Sequence, residues 1–500
     1  MKIGQYILAL DQGTTSSRAI LFDALGSVAG VGQKEFTQIY PRPGYVEHDA
    51  AEILESVLFA MRQAVAQSGI SAKDIAAIGI TNQRETTVAW DSETGLPICN
   101  AIVWQCRRTA AKCEELKAAG WAPYIKKTTG LLVDPYFAGT KMNWILENVP
   151  AASRLAGEGR LRFGTIDTWL VDALTDHEAY VTDVSNASRT MLFDIHRLCW
   201  DPRLLELLGI PEAALPEVVD SSGIVGYCEP TVLGERIPIA GIAGDQHAAL
   251  FGQCCFEEGM VKNTYGTGCF ALMNTGETAM DSQNGLLTTI AWKIGERPVY
   301  ALEGSAFHAG SAIKWLRDEL GMIQSAPECD RLAETVPDTG GVSFVPAFTG
   351  LGAPYWDMYA RGALLGLTRG TGRAHICRAV LESIALESYD LFRLLEEEAA
   401  TPIRALRVDG GASKSHFLMQ FQADISQLRV CRPACLETTA LGAAMLAGLA
   451  VGVWDNQKEL SSIWQMHTEF LPDMGEDERL QSISRWHKAV KRSQNWVEQE

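Results

Sequence analysis

The sequence predicts an α/β protein made of two copies of one arrangement of strands and turns, with a cleft between the copies. Apolar runs of strand length alternate with amphipathic helical stretches through the first half, which is typical of the α/β class. A Gly/Thr-rich turn between two apolar strands occurs near residue 13 and again near residue 266. A strand followed by a small-residue turn occurs at 76–81 and again at 405–412. The repeated order indicates an internal duplication, and a chance likeness of Gly/Thr hairpins is the alternative.

The first of these turns joins two strands within residues 7–22, ILALDQGTTSSRAILF. Small residues let backbone N–H groups approach a ligand, and the hydroxyls of Thr14, Thr15 and Ser16 lie beside them, so the turn suits phosphate oxygens. Asp11 at the end of the first strand can hold a metal-bound water. Taken alone, such a segment is more often an ordinary polar hairpin. Its repetition near residue 266 favours the phosphate site.

Hydrophobic periodicity gives the other elements of the first half. Residues 50–67 show helical spacing, with Ile53, Val57 and Met61 on one face. The predicted elements are strands over 28–36, 75–80, 87–90 and 101–104, and helices over 50–67 and 107–118.

The boundary between the two copies is predicted after residue 253, which gives domains over 1–253 and 254–500. Just before it, residues 237–247 have the pattern of a strand that ends at Asp245, with a helix beginning near Ala248. An aspartate on a glycine-flanked turn at a domain junction is well placed to meet a substrate. An ordinary helix N-cap is the alternative.

Composition restricts the classes of function. The chain is 47% hydrophobic and 21% charged, as globular proteins are. Its net charge of −18 argues against nucleic acid as a partner, because phosphate backbones attract basic surfaces. Residues 440–454 are too few and too rich in glycine to span a bilayer, so we expect no membrane insertion. We expect no cysteine-bound metal, because the twelve cysteines are scattered. We also expect a cytoplasmic protein, because many scattered cysteines suit a reducing compartment and Asp11 interrupts the N-terminal apolar run that a signal peptide would need.

Several further segments resemble the FGGY carbohydrate kinase family of the actin/Hsp70/hexokinase superfamily. The two family patterns fit YFAGTKMNWILEN at 136–148 and GALLGLTRGTGRAHICRAVLE at 362–382. Segments similar to the members that phosphorylate glycerol are GITNQRET at 79–86, WQCRR at 104–108, NASRTML at 186–192, YGTGCF at 265–270 and FTGLGAPYW at 348–356. The resemblance covers nearly the whole chain. It implies two duplicated ribonuclease-H-like domains of the actin/hexokinase type, with an interdomain cleft.

The activity that the resemblance implies is ATP-dependent phosphorylation of a terminal hydroxyl of glycerol, giving sn-glycerol 3-phosphate and ADP, with Mg²⁺ as cofactor. Glycerol and ATP would be the small-molecule partners of a homo-oligomer, either a dimer or a tetramer. A family member acting on another small polyol or a ketose is the alternative among enzymes. A non-catalytic nucleotide-gated binding protein of the same fold is the alternative from another class. The retention of Asp11, Arg18 and Asp245 argues against that last alternative.

The resemblance also implies roles for individual residues. Asp245 would be the general base, and it would act late because a carboxylate is too weak to ionise an alcohol beforehand. Arg18 would neutralise the transferring phosphoryl group, and Asp11 with Asp245 would hold Mg²⁺. The polyol-binding residues would be Arg84, Glu85, Trp104, Tyr136, Asp245, Gln246 and Phe270. The nucleotide-binding residues would be Thr14, Thr15, Ser16, Arg18, Thr267, Gly310, Lys314, Gly411 and Ser415.

The chain departs from the family pattern at three positions. His247 and Lys314 stand where many members carry glutamine, and Ser415 stands where asparagine is common. These differences bear on nucleotide affinity more than on the type of reaction. We interpret His247 as a structural histidine, with an effect on the neighbouring Asp245 as the alternative.

Overall fold

Two large β-sheets, one in each half of the chain, organise residues 5–497, the range that the computed structural model describes. The strands of the first half are β1 (Tyr6–Gln12), β2 (Ser16–Asp23), β3 (Val28–Glu35), β4 (Glu47–His48), β5 (Ile75–Asn82), β6 (Thr87–Asp91), β7 (Ala101–Ile102), β8 (Leu161–Thr165), β9 (Val181–Asp183), β10 (Phe193–Asp194), β11 (Cys199–Trp200), β12 (Glu217–Val219), β13 (Ser222–Cys228) and β14 (Ile237–Gly244). Those of the second half are β15 (Met260–Tyr265), β16 (Cys269–Asn274), β17 (Leu287–Lys293), β18 (Pro298–Ala306), β19 (Ser343–Val345), β20 (Ala363–Leu365), β21 (Ala405–Asp409), β22 (Val430–Pro433) and β23 (Met466–Phe470).

Helices connect and cover these strands. They are α1 (Ala50–Ser68), α2 (Ala110–Ala118), α3 (Ala122–Thr129), α4 (Ala138–Asn148), α5 (Pro150–Gly157), α6 (Ile166–Leu174), α7 (Val184–Ala187), α8 (Pro202–Leu208), α9 (Pro230–Leu233), α10 (Asp245–Gly252), α11 (Gly310–Asp318), α12 (Ala326–Glu334), α13 (Arg373–Ala399), α14 (His416–Ser426), α15 (Thr438–Ala450), α16 (Gln457–Ile463) and α17 (Glu476–Ser493). Within residues 5–497, the helices that are long enough to cross a bilayer all fall short of the apolarity that crossing requires.

The two sheets repeat one pattern of strand pairing. The first has the order β3-β2-β1-β5-β14-β13, and the second has the order β18-β16-β15-β21-β22-β23, with β17 outside β18. In both series two antiparallel pairings are followed by two parallel pairings and a final antiparallel one. They differ at the last strand, because β13 precedes β14 in the chain whereas β23 follows β22. The predicted α/β class and the duplication are confirmed.

Local sequence accounts for the first elements. Leu8 and Leu10 of β1 pack in one apolar cluster and Ile7 and Ala9 in another, so both faces of this strand are covered. That explains why β1 is a continuous apolar run instead of an alternating one. Helix α1 begins after Asp49, whose side chain accepts backbone N–H bonds, and ends at Gly69 with φ 68°.

Three predicted boundaries in the first half are wrong. The helix expected to begin near Ala248 is α10, which begins at Asp245. The strand expected over 101–104 is only β7, and the helix expected over 107–118 begins at Ala110. Turns occupy the residues between them, and the backbone N–H of Trp104 donates to the side-chain hydroxyl of Thr86 at 3.2 Å instead of to a neighbouring strand. The chain thus leaves the sheet early, which brings Trp104 to the site described below.

The halves are joined by helices α10 and α15, which approach until their backbones touch. A Cβ atom on Gly442 of α15 would lie 1.8 Å from the carbonyl oxygen of Ala248 in α10. The same helix crosses the first sheet, where a Cβ on Gly79 would lie 2.2 Å from the carbonyl oxygen of Ala443. The glycine-rich apolar stretch at 440–454 is therefore largely a buried helix of the second half that packs on the sheet of the first.

Candidate active site

Several residues predicted to bind the polyol, the phosphate acceptor, meet where β14 passes into α10; they are called the acceptor group below. Strand β14 ends at Gly244, and Asp245 opens α10 with its side chain one-third exposed. The Nε of Arg84, which follows the end of β5, lies 3.2 Å from Oδ1 of Asp245. The side chain of Arg84 is only 2% exposed, so a buried cation faces a carboxylate that solvent and a substrate can reach.

Aromatic side chains complete this group. The hydroxyl of Tyr136 accepts a hydrogen bond from Nη2 of Arg84 at 3.3 Å. The rings of Trp104 and Tyr136 pack edge to face with centroids 5.6 Å apart. The indole N–H of Trp104 donates to the hydroxyl of Thr14 at 3.0 Å, which joins the acceptor group to the first Gly/Thr turn.

Lys262 links Gln246 of the first half to Phe270 of the second half. Lys262 of β15 donates to the side-chain oxygen of Gln246, to the hydroxyl of Thr264 at 3.1 Å and to the carbonyl of Phe270 at 3.2 Å. These three bonds use all the donors of its ammonium group. Burial lowers the pKa of Lys262 to about 8.

Beneath the acceptor group lies a buried network of ionic side chains. Arg189 donates to Glu85 at 2.7 Å and to Glu303 at 3.0 Å. Arg84 makes a forked contact with Glu303, through Nη1 at 2.5 Å and Nη2 at 3.1 Å. Such a network needs its partners, because an unpaired charge at this depth costs several kcal/mol.

Sequence reasoning missed Arg189, Glu303 and Lys262. Glu303 and Lys262 stand in the middle of the buried strands β18 and β15, and Arg189 stands in the segment NASRTML. A charged side chain within a buried strand pattern is rare unless it is paired, and that was the available signal. Their partners were not foreseeable, since Arg84 and Glu303 are separated by 219 positions.

The two Gly/Thr-rich turns that the sequence predicts are both formed. Gly13 N–H bonds to the carbonyl of Ser16 at 3.0 Å in the first turn. In the second turn, Gly266 N–H bonds to the carbonyl of Gly268 at 2.9 Å. Thr15 and Thr267 are exposed, while Thr14 and Ser16 are half-buried.

A group of glycines adjoins the second turn. Gly310 N–H bonds to the carbonyl of Gly266 at 2.9 Å, and a Cβ on Gly310 would lie 2.6 Å from that oxygen. Gly410 lies against Tyr265 in the same way with φ +85°, and the exposed Gly411 follows it. Three of the predicted nucleotide residues, Thr267, Gly310 and Gly411, are thus on segments in direct contact.

Asp11 and Arg18 face each other across the first hairpin, in register in the β1–β2 pairing. Arg18 also makes an ion pair with Glu437 at 2.6 Å, next to the start of α15. Burial raises the pKa of Asp11 to about 7 although Arg18 opposes the rise, and the negative charges of Asp245 and Glu437 add to it.

A divalent cation beside Asp11 would offset this excess of negative charge. Residues 5–497 contain no group of three or more His, Cys, Asp and Glu side chains suited to a metal. Mg²⁺ is typically held by one or two carboxylates together with substrate phosphates and water. Asp11 and Asp245 fit that pattern, and the hydroxyl-rich turns carry donors of the kind that phosphate oxygens accept.

Known proteins match this chain over nearly its whole length. The model of the N-terminal domain of the FGGY family of carbohydrate kinases matches residues 6–252, and the model of its C-terminal domain matches residues 261–451. The chain belongs to the FGGY family of carbohydrate kinases. It is therefore an ATP-dependent phosphotransferase, and the expectation drawn from the family motifs is confirmed.

Individual relatives narrow the comparison within the FGGY family. The chain is 58% identical to glycerol kinase 2 of Thermotoga maritima, over 98% of this chain and 99% of that one. It superimposes on a crystal structure of Plasmodium falciparum glycerol kinase with ADP at a TM-score of 0.92, with 36% identity and 99% of each chain covered. A xylulose kinase structure from Lactobacillus acidophilus has a TM-score of 0.87 at 23% identity over 97% of each chain, which shows the same fold.

The three departures from the FGGY pattern occupy different environments. His247 is buried, its Nε2 lies 3.0 Å from the hydroxyl of Thr289, and burial holds its pKa well below the usual value, so the ring is neutral. Ser415 caps α14 and donates to Asp330 at 2.7 Å. Lys314 is exposed on α11. Of the three, only Lys314 has a freely accessible charged group to offer a nucleotide.

Proposed function

We propose that this FGGY kinase transfers the γ-phosphoryl group of ATP to a terminal hydroxyl of glycerol, giving sn-glycerol 3-phosphate and ADP. The observation that carries the proposal is the convergence of Arg84, Tyr136, Trp104 and Asp245 at the end of β14. Glycerol presents only hydroxyls and a short carbon edge, and this group offers donors, acceptors and an aromatic face in one place. The similarity to two glycerol kinases at 58% and 36% identity supports the same substrate.

Asp245 is the general base in this proposal. Its Oδ1 is held by Nε of Arg84 at 3.2 Å and by the N–H of Gln246 at 2.7 Å. We therefore assign Oδ2 to accept the proton of the attacking hydroxyl. The carboxylate orients the hydroxyl and takes its proton as the new P–O bond forms, because an alcohol is far too weak an acid to ionise earlier.

Donors on the two turns bind the phosphates. Thr14, Thr15 and Ser16 serve from the first turn and Thr267 from the second, so transfer takes place between the halves of the chain. Arg18 neutralises charge on the transferring group, and this requires the guanidinium to exchange its contact with Glu437 for the phosphate. Mg²⁺, held by Asp11 and Asp245, would offset the charge on the β- and γ-phosphates.

Glu85, Gln246 and Phe270 complete the acceptor site, and Gly310, Lys314, Gly411 and Ser415 serve the nucleotide. Glu85 is buried and paired with Arg189, so we expect it to bind the polyol through one carboxylate oxygen. For Ser415 the proposed role must coexist with its helix-capping bond. We keep the domains as 1–253 and 254–500, which the two family matches on either side of the boundary support.

We also propose that the protein is cytoplasmic and forms a homo-oligomer. All twelve cysteines are free, which is compatible with a reducing cytoplasm. A homo-oligomer, dimeric or tetrameric, would cover apolar side chains such as Met358 and Trp496, which are 68% and 71% exposed.

The test is ADP release measured with glycerol, dihydroxyacetone, erythritol and xylulose as acceptors. We expect the highest kcat/KM with glycerol. A higher value with xylulose or erythritol would support the alternative of an FGGY kinase for another polyol or ketose. ATP binding without ADP release on any acceptor would support a non-catalytic nucleotide-gated protein.

A further inference from the structure

Glu303 is the one acidic side chain of the second half that reaches the acceptor-binding arginine, among the residues the structure describes. It lies on β18, adjacent to β16, the strand that carries Phe270. Its side chain is 3% exposed and accepts three charge-assisted hydrogen bonds, two from Arg84 and one from Arg189. Both arginines belong to the first half. The contact therefore crosses between the halves directly beneath the proposed acceptor site.

Every nitrogen of the Arg84 guanidinium has a partner, and Glu303 is the partner of two of them. Its Nε faces Asp245, its Nη2 also donates to Tyr136, and its Nη1 and Nη2 are held by Glu303. A planar guanidinium held by a carboxylate on two nitrogens keeps one orientation, which fixes where the remaining N–H groups point. Glu303 thereby sets the direction in which Arg84 meets Asp245 and Tyr136.

The anchor is ionised throughout the working range of pH. Burial alone would raise the pKa of Glu303, but the guanidiniums of Arg189 and Arg84 hold that pKa well below its usual range. Arg189 in turn is shared with Glu85, so two arginines and two glutamates balance each other below the site. Because Glu303 stays ionised, its hold on the orientation of Arg84 does not change with pH in this range.

We propose that Glu303 is a positioning residue for the acceptor, through which the second half of the chain fixes Arg84 and completes the polyol site. The inference rests on the proposed function, because it takes the group around Arg84 as the place where the polyol binds. It follows that polyol affinity depends on the contact between the halves, although Glu303 itself lies below the site.

The first test is Glu303→Gln, with Glu303→Asp as the conservative variant. Glutamine keeps the shape but loses the charge and one acceptor, so Arg84 is freed to move toward Asp245. We expect the KM for glycerol to rise at least tenfold while the KM for ATP changes less than twofold. Titration calorimetry with glycerol alone should show the same tenfold loss of affinity. Glu303→Asp keeps the charge at a shorter reach and should recover part of the loss.

Two further variants separate positioning from folding. Glu277→Gln removes an exposed carboxylate of the same half that pairs with Arg297 at 2.6 Å, and it should leave both KM values unchanged. The double variant Arg189→Gln with Glu303→Gln removes one charge of each sign, so it keeps the charge balance if Glu303→Gln alone fails to fold. It should still show the selective rise in the KM for glycerol.

A folded Glu303→Gln, or a folded double variant, whose KM for glycerol stays within twofold of wild type overturns the inference. Equal rises in both KM values overturn it as well, since they indicate a general disturbance. If wild type prefers another acceptor, the proposed substrate is wrong. The same comparison with that acceptor then decides the role of Glu303 independently.

Discussion

Lys141 shows how a single buried residue can shape a site that it does not enter. Its ammonium group donates to the carbonyl of Glu85 at 3.1 Å and to the carbonyl of Tyr136. Glu85 has φ of 60°, a left-handed conformation that costs free energy in a residue other than glycine. We interpret Lys141 as the donor that holds two proposed polyol residues in place.

Lys141→Met should therefore weaken glycerol binding. The variant keeps the length of the side chain but leaves two buried carbonyls without their donor, at a cost of about 1–3 kcal/mol. We expect the KM for glycerol to rise about tenfold or more in steady-state assays, with a lower melting temperature. Lys117→Met, at a half-exposed lysine in the same half, is the matched control. Unchanged glycerol KM in Lys141→Met would contradict this interpretation.

Glu387 is a second residue whose environment makes a definite prediction. It is buried in α13, and its Oε2 has no hydrogen-bond partner among the described residues. Burial raises the pKa of Glu387 to about 8, and the nearby charge of Asp390 adds to the rise. In the unfolded chain a glutamate titrates near pH 4.3.

Between these two pKa values the folded state binds more protons than the unfolded state, so the free energy of unfolding falls as pH rises from about 4 to 8. In Glu387→Gln that fall in the free energy of unfolding should be smaller. Above pH 8 the variant should be more stable than wild type by a few kcal/mol, on the order of 1.4 kcal/mol for each unit by which the pKa of Glu387 is shifted. Denaturant unfolding at pH 5, 7 and 9 measures this, with the exposed Glu397→Gln on the same helix as control. Parallel pH profiles for wild type and Glu387→Gln would disprove it.

Among the elements, the contact of α10 with α15 joins the turn that carries Asp245 to the second half. Asp245 is the first residue of α10, and Gly442 permits α15 to approach that helix at Ala248. Glycine is required there for space and not for backbone conformation, since its added Cβ would meet a carbonyl oxygen at 1.8 Å.

Gly442→Ala should push the two helices apart. We expect a loss of about 2–4 kcal/mol in the free energy of unfolding, as for other overpacked cores, and a fall in kcat because Asp245 moves with α10. Gly157→Ala, at a helical glycine whose Cβ would meet nothing within 4 Å, should be neutral or slightly stabilising. Thermal and denaturant unfolding of both variants decide the matter. Equal stability of the two would show that the contact is not tight.

Element prediction from the sequence succeeded where the signal is local. Periodicity gave α1 and β5, and the Gly/Thr turns gave both hairpins, because spacing and turn residues act within a few positions. The early end of β7 was missed, since it depends on the turn that carries Trp104 to Thr14. Such a contact is invisible to a short window of sequence.

At the scale of the whole molecule, the duplication was predictable and the way in which the halves join was not. The repeated hairpins and their following strands appear in the same order in the sequence, and the paired sheets reproduce that order. The packing of α15 on the first sheet and the contact of Glu303 with Arg84 depend on chain segments hundreds of positions apart. Family motifs supplied the residues that we propose to bind the polyol, whereas the buried charges beneath them came only from the structure.

In the proposed mechanism a single carboxylate, that of Asp245, accepts the proton when glycerol is phosphorylated. The most direct measurement is glycerol-dependent ADP release by wild type and by Asp245→Asn, with ATP binding followed by calorimetry in parallel. We predict that kcat falls by about 10²–10⁴-fold while the folded protein still binds ATP. Near-wild-type turnover by Asp245→Asn would contradict the assignment of Asp245 as the general base.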